Sequence, residues 1–325
     1  MTISRRDCLL GMSLAALMAR PALAAEDAYP SAPIRLIVPF PPGGPADVTA
    51  RIVAEDMARQ LGQPIIVENK GGAGGNIGAG AAAKAPADGY TLFYASGGTH
   101  GINPSLYRQI PYDPTGDFRG VALACTLANI FVANPRFAAN DMAGLIALAK
   151  ANPGKITYAS AGSGTTTHMS AELLKAMTGI DIVHVPYKGG GPAMNDLLGG
   201  HVELMVDGLP TSAPHIKSGR LKGLGVTSAK ADPNLPSVPP VSATVPGYEA
   251  VAWFAFLAPA RTPDPIVAKL NKAANTALAS AEVRERFAGF GAFPGGGSPQ
   301  DLDAFIRAEL TKWRKVVETT GAHVD

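Results

Sequence analysis

The sequence has 325 residues, of which 46% are hydrophobic and 17% are charged, a globular composition with enough length for two cores. Its formal net charge is +2, but residues 1–24 hold three arginines and one aspartate, so the rest carries 25 basic and 25 acidic residues. A neutral chain has no overall field to hold nucleic acid or an anionic membrane, so neither is a predicted partner.

The first 24 residues have the pattern of an export signal. Arg5 and Arg6 precede an apolar stretch at residues 9–19, and Ala22-Leu23-Ala24 matches a small-residue cleavage site. The stretch is shorter than the roughly 20 residues that span a bilayer. The paired arginines fit the twin-arginine export route, and a general secretory signal is the alternative. Both predict cleavage near Ala24 and a periplasmic protein that is not embedded in the membrane.

After the signal, short β-branched runs alternate with alanine-rich runs of helical length. The predicted strands cover residues 34–39, 65–68, 90–95, 155–159, 181–186, 203–206, 221–227 and 251–258. The predicted helices cover residues 47–61, 76–83, 141–151, 168–178, 192–198, 265–278, 281–287 and 299–319. This alternation predicts an α/β fold of mostly parallel sheets with flanking helices.

Two interruptions of this rhythm predict two lobes. One break lies near residues 131–140, and a proline-rich stretch runs from residue 233 to 246. They divide the chain into lobe 1, residues 30–126 plus 248–325, and lobe 2, residues 127–247. Two crossings between lobes form a hinge, a common arrangement for closing around a ligand. We also expect a monomer.

The first loop that leaves a strand and opens a helix is F-P-P-G-G-P-A-D, residues 40–47. Such loops lie at the carboxyl ends of strands, where open α/β sheets bind ligands. Glycine N–H groups at a helix start attract anions. Asp47 is predicted to cap the helix. The alternative is a rigid turn that binds nothing. The predicted ligand-binding residues of this loop are Phe40, Pro42, Gly43, Gly44 and Asp47.

Two later segments also end strands in small polar residues. In A-S-G-G-T-H-G-I-N-P, residues 95–104, we expect Ser96, Thr99 and Asn103 to face the cleft, and His100 to be structural. In V-D-G, residues 206–208, Asp207 either recognises a ligand amine or bonds backbone groups.

The richest cluster of donors is Y-A-S-A-G-S-G-T-T-T-H, residues 158–168. Neither this loop nor the first contains lysine or arginine, so a bound carboxylate would be held by hydrogen-bond donors. A hydrogen bond to a charged group contributes about 1.5–3 kcal/mol. A helix cap with spare hydroxyls is the alternative. The predicted ligand-binding residues are Ser160, Gly162, Ser163, Gly164, Thr165, Thr166, Thr167 and His168.

Enzyme signatures are weak throughout the sequence. The six histidines show no short metal-ligand spacing with cysteines or acids. The segment 161–165 lacks both outer glycines of G-x-S-x-G. The glycine-rich run 71–80 breaks the G-x-G-x-x-G spacing at Ile77. We therefore predict a binding protein with no metal and no cofactor.

Motifs along the whole chain resemble the Bug or TctC-like substrate-binding proteins of tripartite tricarboxylate transporter systems. They include Y-P-S-A-P-I-R-L-I-V-P-F-P-P-G-G-P-A-D, V-E-N-K-G-G-A-G-G-N-I-G, A-D-G-Y-T-L, H-V-P-Y-K-G-G-G-P-A, D-L-L-G-G-H-V-E-L-M and L-A-P-A-R-T-P. The resemblance implies a two-lobe periplasmic Venus flytrap fold. It also implies that the loops at residues 41–47 and 160–168 grip a ligand carboxylate from opposite lobes.

The resemblance further implies a small carboxylate ligand, such as a di- or tricarboxylate, an amino acid or an aromatic acid. The expected partner is a two-component membrane permease. A periplasmic sensor for a signalling receptor is the alternative, and an enzyme acting on a carboxylic acid is a second one. V-D-G stands where the family often has F-D-N, so Gly208 lacks a side chain that relatives offer.

Overall fold

The structure is a computed structural model that describes residues 29–324. The predicted export signal at residues 1–24 lies outside the described residues. The strands are β1 (Ile34–Val38), β2 (Ile65–Asn69), β3 (Thr91–Ser96), β4 (Phe118–Ala133), β5 (Ile156–Ser160), β6 (Ile182–Pro186), β7 (Leu204–Gly208), β8 (Lys222–Val226), β9 (Val251–Pro259) and β10 (Ala292–Gly296).

The α-helices of residues 29–324 alternate with these strands. They are α1 (Pro45–Leu61), α2 (Asn76–Ala83), α3 (Asn103–Leu106), α4 (Met142–Ala151), α5 (Thr166–Thr178), α6 (Gly190–Gly199), α7 (Leu209–Lys217), α8 (Asp264–Ala279), α9 (Ala281–Phe290) and α10 (Pro299–Thr320). A π-helical turn, Gly98–Ile102, follows β3. None of the described helices is long and apolar enough to cross a membrane.

The strands form one continuous path in the order β2-β1-β3-β9-β4-β7-β5-β6, with β8 and β10 also paired to β4. β1 pairs in parallel with β2 and β3, and β5 pairs in parallel with β6 and β7. Every pairing of β4 and β9 is antiparallel. The α/β fold with flanking helices is therefore confirmed, but the sheets are mixed rather than mostly parallel.

The long strand β4 is the reason for this correction. Its sixteen residues are mostly buried, with no alternation of buried and exposed positions. A strand covered on both faces shows no period of two, so the alternation that marks a half-buried strand is absent from this segment. We placed no strand there, and the antiparallel pairings that it creates were missed with it.

β4 also runs past the predicted lobe boundary after residue 126. Its first part, Phe118 to Ala128, pairs with β9, and its last part, Asn129 to Ala133, pairs with β7. The boundary therefore falls inside one uninterrupted strand that serves both groups of strands. The division into residues 30–126 plus 248–325 and residues 127–247 remains a prediction.

Several strands and helices meet where the site is found. β1 leads into α1, β5 into α5, β6 into α6 and β7 into α7, each through a short corner. Parallel strands end at a common edge, so the corners after β5, β6 and β7 are neighbours, and so are those after β1 and β3. Both groups of corners border one cleft.

Candidate functional site

A cavity of about 510 Å³ lies among the corners after β1, β3, β5, β6 and β7. Its volume is within the usual range of small-molecule sites. The predicted site residues that line it are Phe40, Pro42, Gly43, Gly44, Ser96, Thr165, Thr166, Thr167 and Asp207. The two loops singled out from the sequence therefore face one cleft. The predicted site residues that do not line it are Asp47, Thr99, Asn103, Ser160, Gly162, Ser163, Gly164 and His168.

The first loop presents backbone to the cavity. α1 begins at Pro45, its N-cap is Gly44, and no side chain caps it. Asp47 is buried in the first turn and is not the N-cap that we predicted. Its carboxylate accepts hydrogen bonds from the Gly43 N–H at 3.0 Å and from Asn69 and Arg51 at 2.9 Å each. Asp47 therefore stabilises the loop through hydrogen bonds and does not itself line the cavity.

The hydrogen bonds of Asp47 also decide its charge. Burial alone would raise the pKa of this carboxyl, but the hydrogen bonds from Arg51, Gly43 and Asn69 hold the pKa below its ordinary value. Asp47 is thus an anion in the first turn of α1, where the helix dipole favours it.

The second loop uses most of its hydroxyl groups internally. Thr165 caps α5 by accepting from the His168 N–H, and its hydroxyl lies 2.6 Å from the Gly162 carbonyl and 2.8 Å from the Thr167 hydroxyl. The Ser160 hydroxyl lies 2.6 Å from Nε2 of His184. The crowding of donors in this segment therefore reflects loop stability, and of its hydroxyl-bearing residues only Thr165, Thr166 and Thr167 line the cavity.

Two stacked histidines support this loop from beneath. The rings of His168 and His184 lie 4.0 Å apart between centroids. Burial lowers the pKa of His168 to about 4 and that of His184 to about 3, so both are neutral near pH 7. Nδ1 of His168 accepts a hydrogen bond from the Gly164 N–H at 3.3 Å. The ring of His168 packs behind the loop and does not line the cavity, and its role as a ligand contact stays a prediction.

The segment after β3 also combines a residue that lines the cavity with residues that do not. Ser96 lines the cavity, whereas Thr99 and Asn103 are fully buried. Thr99 Oγ1 accepts from the Ser96 N–H at 3.1 Å, and Asn103 donates to the Gly74 carbonyl at 3.0 Å and to Asn76 at 2.7 Å. Both side chains therefore bond groups within the protein and do not line the cavity. The structural role predicted for His100 agrees with its full burial.

Gly162, Ser163 and Gly164 also lie behind the cavity surface. The Ser163 carbonyl accepts from the Tyr107 hydroxyl at 3.3 Å. Gly164 has a positive φ of 79°, and a Cβ there would lie 2.2 Å from Oδ1 of Asn103. This glycine is required by both its backbone angle and its neighbours.

Asp207, at the end of β7, lines the cavity and is almost fully buried. It accepts a hydrogen bond from the Ser212 hydroxyl at 2.9 Å and another from the Thr211 hydroxyl. Burial raises its pKa to about 6 despite these hydrogen bonds. The structure therefore shows the carboxylate bound to the first turn of α7, while it still borders the cavity.

Sequence reasoning missed a large part of the lining. α6 begins after Gly189 and α7 after Gly208, and neither has a side-chain cap. In the sequence, the glycines at the start of α6 were the signal that could have identified this part of the lining. For α7 there was none, because its two prolines argued against a helix. The missed residues are Pro41, Pro45, Ala46, Gly97, Gly98, Leu127, Asn129, Ala161, Lys188, Gly189, Gly190, Gly191, Pro192, Met194, Asn195, Gly208, Pro210, Thr211, Pro214, His215, Ala252, Trp253 and Phe254.

The charge pattern of the lining favours backbone recognition of an anion. The ionisable side chains among the lining residues are Lys188, Asp207 and His215, and no arginine lines the cavity formed by the described part of the chain. The starts of α1, α6 and α7 border the cavity without side-chain caps. A helix start carries partial positive charge and N–H groups that have no partner within the helix. Among residues 29–324 there is no cluster of three or more potential metal ligands.

Residues 49–322 match the model of the tripartite tricarboxylate transporter family receptor, TctC. The chain belongs to this family. The TctC-family match confirms the resemblance seen in the sequence.

Individual relatives of this TctC-family chain agree over nearly its whole length. BugT of Bordetella pertussis is 40% identical over 325 residues, which cover 99% of each protein. The structure of R. palustris Rpa4515 with adipate is 39% identical, with a TM-score of 0.87, and covers 91% of this chain and all of that one. MatC from Rhodopseudomonas palustris with bound malate is 35% identical, with a TM-score of 0.84, and covers 89% of this chain and 100% of its own.

Proposed function

We propose that this TctC-family chain is a periplasmic solute-binding protein that captures a small carboxylate and delivers it to a two-component membrane permease. The observation that carries the proposal is the ring of uncapped helix starts around one cavity without arginine. Amides at helix starts bind a carboxylate through the positive potential of the helix dipoles, and Lys188 is the one lysine among the lining residues of the described chain.

Capture would work by closure of the cleft. Gly208 approaches Pro45 so closely that a Cβ on Gly208 would lie 3.1 Å from the Pro45 ring. A Cβ on Gly98 would lie 2.8 Å from the Gly164 carbonyl oxygen. A ligand that contacts both sides stabilises the closed form by the contacts that it makes only there. The two lobes that we propose are residues 30–126 plus 248–325 and residues 127–247.

The arrangement does not favour catalysis. Ser160 and His184 form a close pair at 2.6 Å, as a nucleophile and its base would. However, Ser160 is fully buried and neither residue lines the cavity, so a substrate would not reach them. We therefore propose binding and release of the acid without chemical change.

The relatives support a carboxylate as the ligand class. One structure of a relative contains adipate and another contains malate. Both acids carry two carboxylates on a short carbon chain, and both relatives match this chain over most of its length. We extend the class, and not the individual acid, to this protein. Export through the signal at residues 1–24 and a monomeric state complete the proposal.

Calorimetry of the purified mature chain with a panel of carboxylates tests this function. At least one acid is expected to bind with a Kd on the order of micromolar, which corresponds to about −8 kcal/mol. Each acid should be recovered unchanged by chromatography after incubation. Matched amides of the same acids, which lack the negative charge, are the control and should bind at least tenfold more weakly. Conversion of an acid, or equal affinity for acid and amide, would contradict the proposal.

A further inference from the structure

One side of the cavity is apolar. Leu127 from β4, together with Ala252 and Phe254 from β9, belongs to one buried cluster that also borders the cavity. The lining also includes Met194 of α6 and the prolines of α7. We call the following residues the apolar wall: Leu127, Met194, Pro210, Pro214, Ala252 and Phe254.

The members of the apolar wall are neighbours. Ala252 pairs with Leu127 in the β4–β9 register. A Cβ placed on Gly208 would lie 3.7 Å from Cδ of Pro210 and 3.9 Å from Cδ1 of Leu127, so the start of α7 faces β4. Pro210 and Pro214 are four residues apart and therefore share one face of α7.

Three polar side chains beside the apolar wall use part of their hydrogen-bonding capacity within the protein. Asn129 donates to the Ser170 hydroxyl at 3.2 Å, and the Thr211 hydroxyl bonds Asp207 and the Gly208 carbonyl. Asp207 accepts from two hydroxyls and from the Gly208 N–H. A hydroxyl or amino group that a ligand placed against the carbon atoms of the apolar wall would lose water without gaining a hydrogen bond from them, which is unfavourable.

Gly208 contributes no polar side chain to the part of the cavity beside the apolar wall. Its φ of −67° is accessible to any residue, so the backbone does not require glycine there. A side chain at this position would project toward Pro45, Pro210 and Leu127. The glycine leaves this part of the cavity without a polar group.

We propose that the bound acid has an unsubstituted hydrocarbon body, in contrast to a hydroxy or amino acid. This inference rests on the proposed carboxylate-binding function and specifies its substrate class. Helix starts hold a carboxylate, and the apolar wall receives the carbon chain. Each buried methylene is expected to raise affinity about fourfold, from the usual free energy of burying a CH₂ group.

Calorimetry with a series of straight-chain diacids tests the inference, because the two carboxylates stay constant. Affinity should rise about fourfold per methylene from succinate through glutarate to adipate, or about 16-fold overall. Malate, which is succinate with one hydroxyl, should bind at least fivefold more weakly than succinate. Aspartate should likewise bind more weakly than succinate.

Three outcomes would overturn the inference and leave the proposed function intact. The first is affinity that stays flat or falls from succinate to adipate. The second is malate or aspartate that binds as tightly as succinate or more tightly. The third is that citrate binds and that none of the straight-chain diacids does. Failure of every acid in the panel would instead refute the proposed function itself.

Two variants test whether the rise in affinity from succinate to adipate depends on the apolar wall. Met194→Gln keeps the length of the side chain but adds an amide, and it should flatten the rise from succinate to adipate by at least half. Met177→Gln is the matched control, because Met177 is 40% exposed on α5 and does not line the cavity. Pro214→Ser, at an exposed position of α7, is the second variant should Met194→Gln fail to fold. An unchanged rise in the folded variants would overturn the inference.

Discussion

The corner from β5 to α5 and the corners that open α6 and α7 border the same cavity but are built differently. The first contains five hydroxyl side chains in residues 160–167, and most of them bond the loop itself. The other two have glycine at the N-cap and no side-chain cap. The difference shows that a segment rich in donors is not the segment with free donors. Hydroxyls satisfy nearby backbone groups first, whereas a glycine corner leaves its amides open.

Gly164→Ala should have the largest effect, because it disrupts the tightly bonded corner. Its φ of 79° is strained for alanine, and the new Cβ would overlap Oδ1 of Asn103. We expect a loss of about 2–4 kcal/mol in the free energy of unfolding, measured by urea denaturation.

Gly191→Ala is the matched control in the open corner. No atom lies within 4 Å of a Cβ at Gly191, which is in the first turn of α6. Its stability should stay close to that of the wild type. Equal losses in both variants would mean that the two corners are equally packed, against our comparison.

Acid should weaken the β5–α5 corner through its buried histidines. His168 and His184 have folded-state pKa values of about 4 and 3, below the ordinary value near 6.5. The unfolded chain therefore binds more protons, and stability is lost as pH falls below about 6.5. Asp207, with a pKa raised to about 6, acts in the opposite sense between about pH 4 and pH 6. His100, which is fully buried and has its pKa lowered to about 3, adds to the loss. The three histidines outweigh Asp207, so the net change from pH 7 to pH 5 is a loss of about 3–4 kcal/mol.

His168→Gln tests the histidine contribution. Gln can still accept from the Gly164 N–H but does not titrate, so the fall in stability between pH 7 and pH 5 should shrink by about half. His201→Gln, at an exposed histidine, should keep the wild-type curve. A curve for His168→Gln that matches the wild type would show that the stacked pair does not control the pH dependence.

Asp47→Ala should loosen the first loop without removing a cavity residue. The variant loses the carboxylate that accepts from Gly43, Arg51 and Asn69. We expect a loss of about 1–2 kcal/mol in thermal or urea unfolding, together with weaker carboxylate binding. Glu55→Ala, at an exposed carboxylate of the same helix, is the control and should leave binding unchanged. If Asp47→Ala binds carboxylates with wild-type affinity, the loop keeps its shape without the hydrogen bonds of Asp47.

Two adjacent threonines give the smallest and most selective effect. Thr165 caps α5, so Thr165→Val should cost about 1 kcal/mol of stability. Thr166 lines the cavity at the first position of α5, so Thr166→Val should lower carboxylate affinity several-fold at nearly unchanged stability. Paired urea and calorimetry measurements separate the two roles. The same profile for both variants would contradict the assignment of one hydroxyl to the loop and the other to the cavity.

Some elements were predictable because their signals are local. The predicted helix at residues 76–83 matches α2, and the predicted helix at 299–319 matches α10 to within one residue. The strand-to-helix corners at residues 40–47 and 158–168 were also found, since glycine, proline and small polar residues mark them in the sequence. β4 was not predicted, because a strand that is buried on both faces lacks the alternation of apolar and polar residues. α7 was not predicted, because its prolines argue against a helix.

The sequence by itself determined the family, the α/β class and which corners open helices, because periodicity and turn residues act over a few positions. Only the tertiary structure decided which donors remain free. Ser160, Thr99, Asn103 and His168 all have suitable chemistry, yet burial and nearby partners turn each of them away from the cavity. The apolar wall was equally invisible, because β4, β9 and α7 come together only when the chain folds. Side-chain direction depends on partners distant in sequence, and a sequence pattern does not show them.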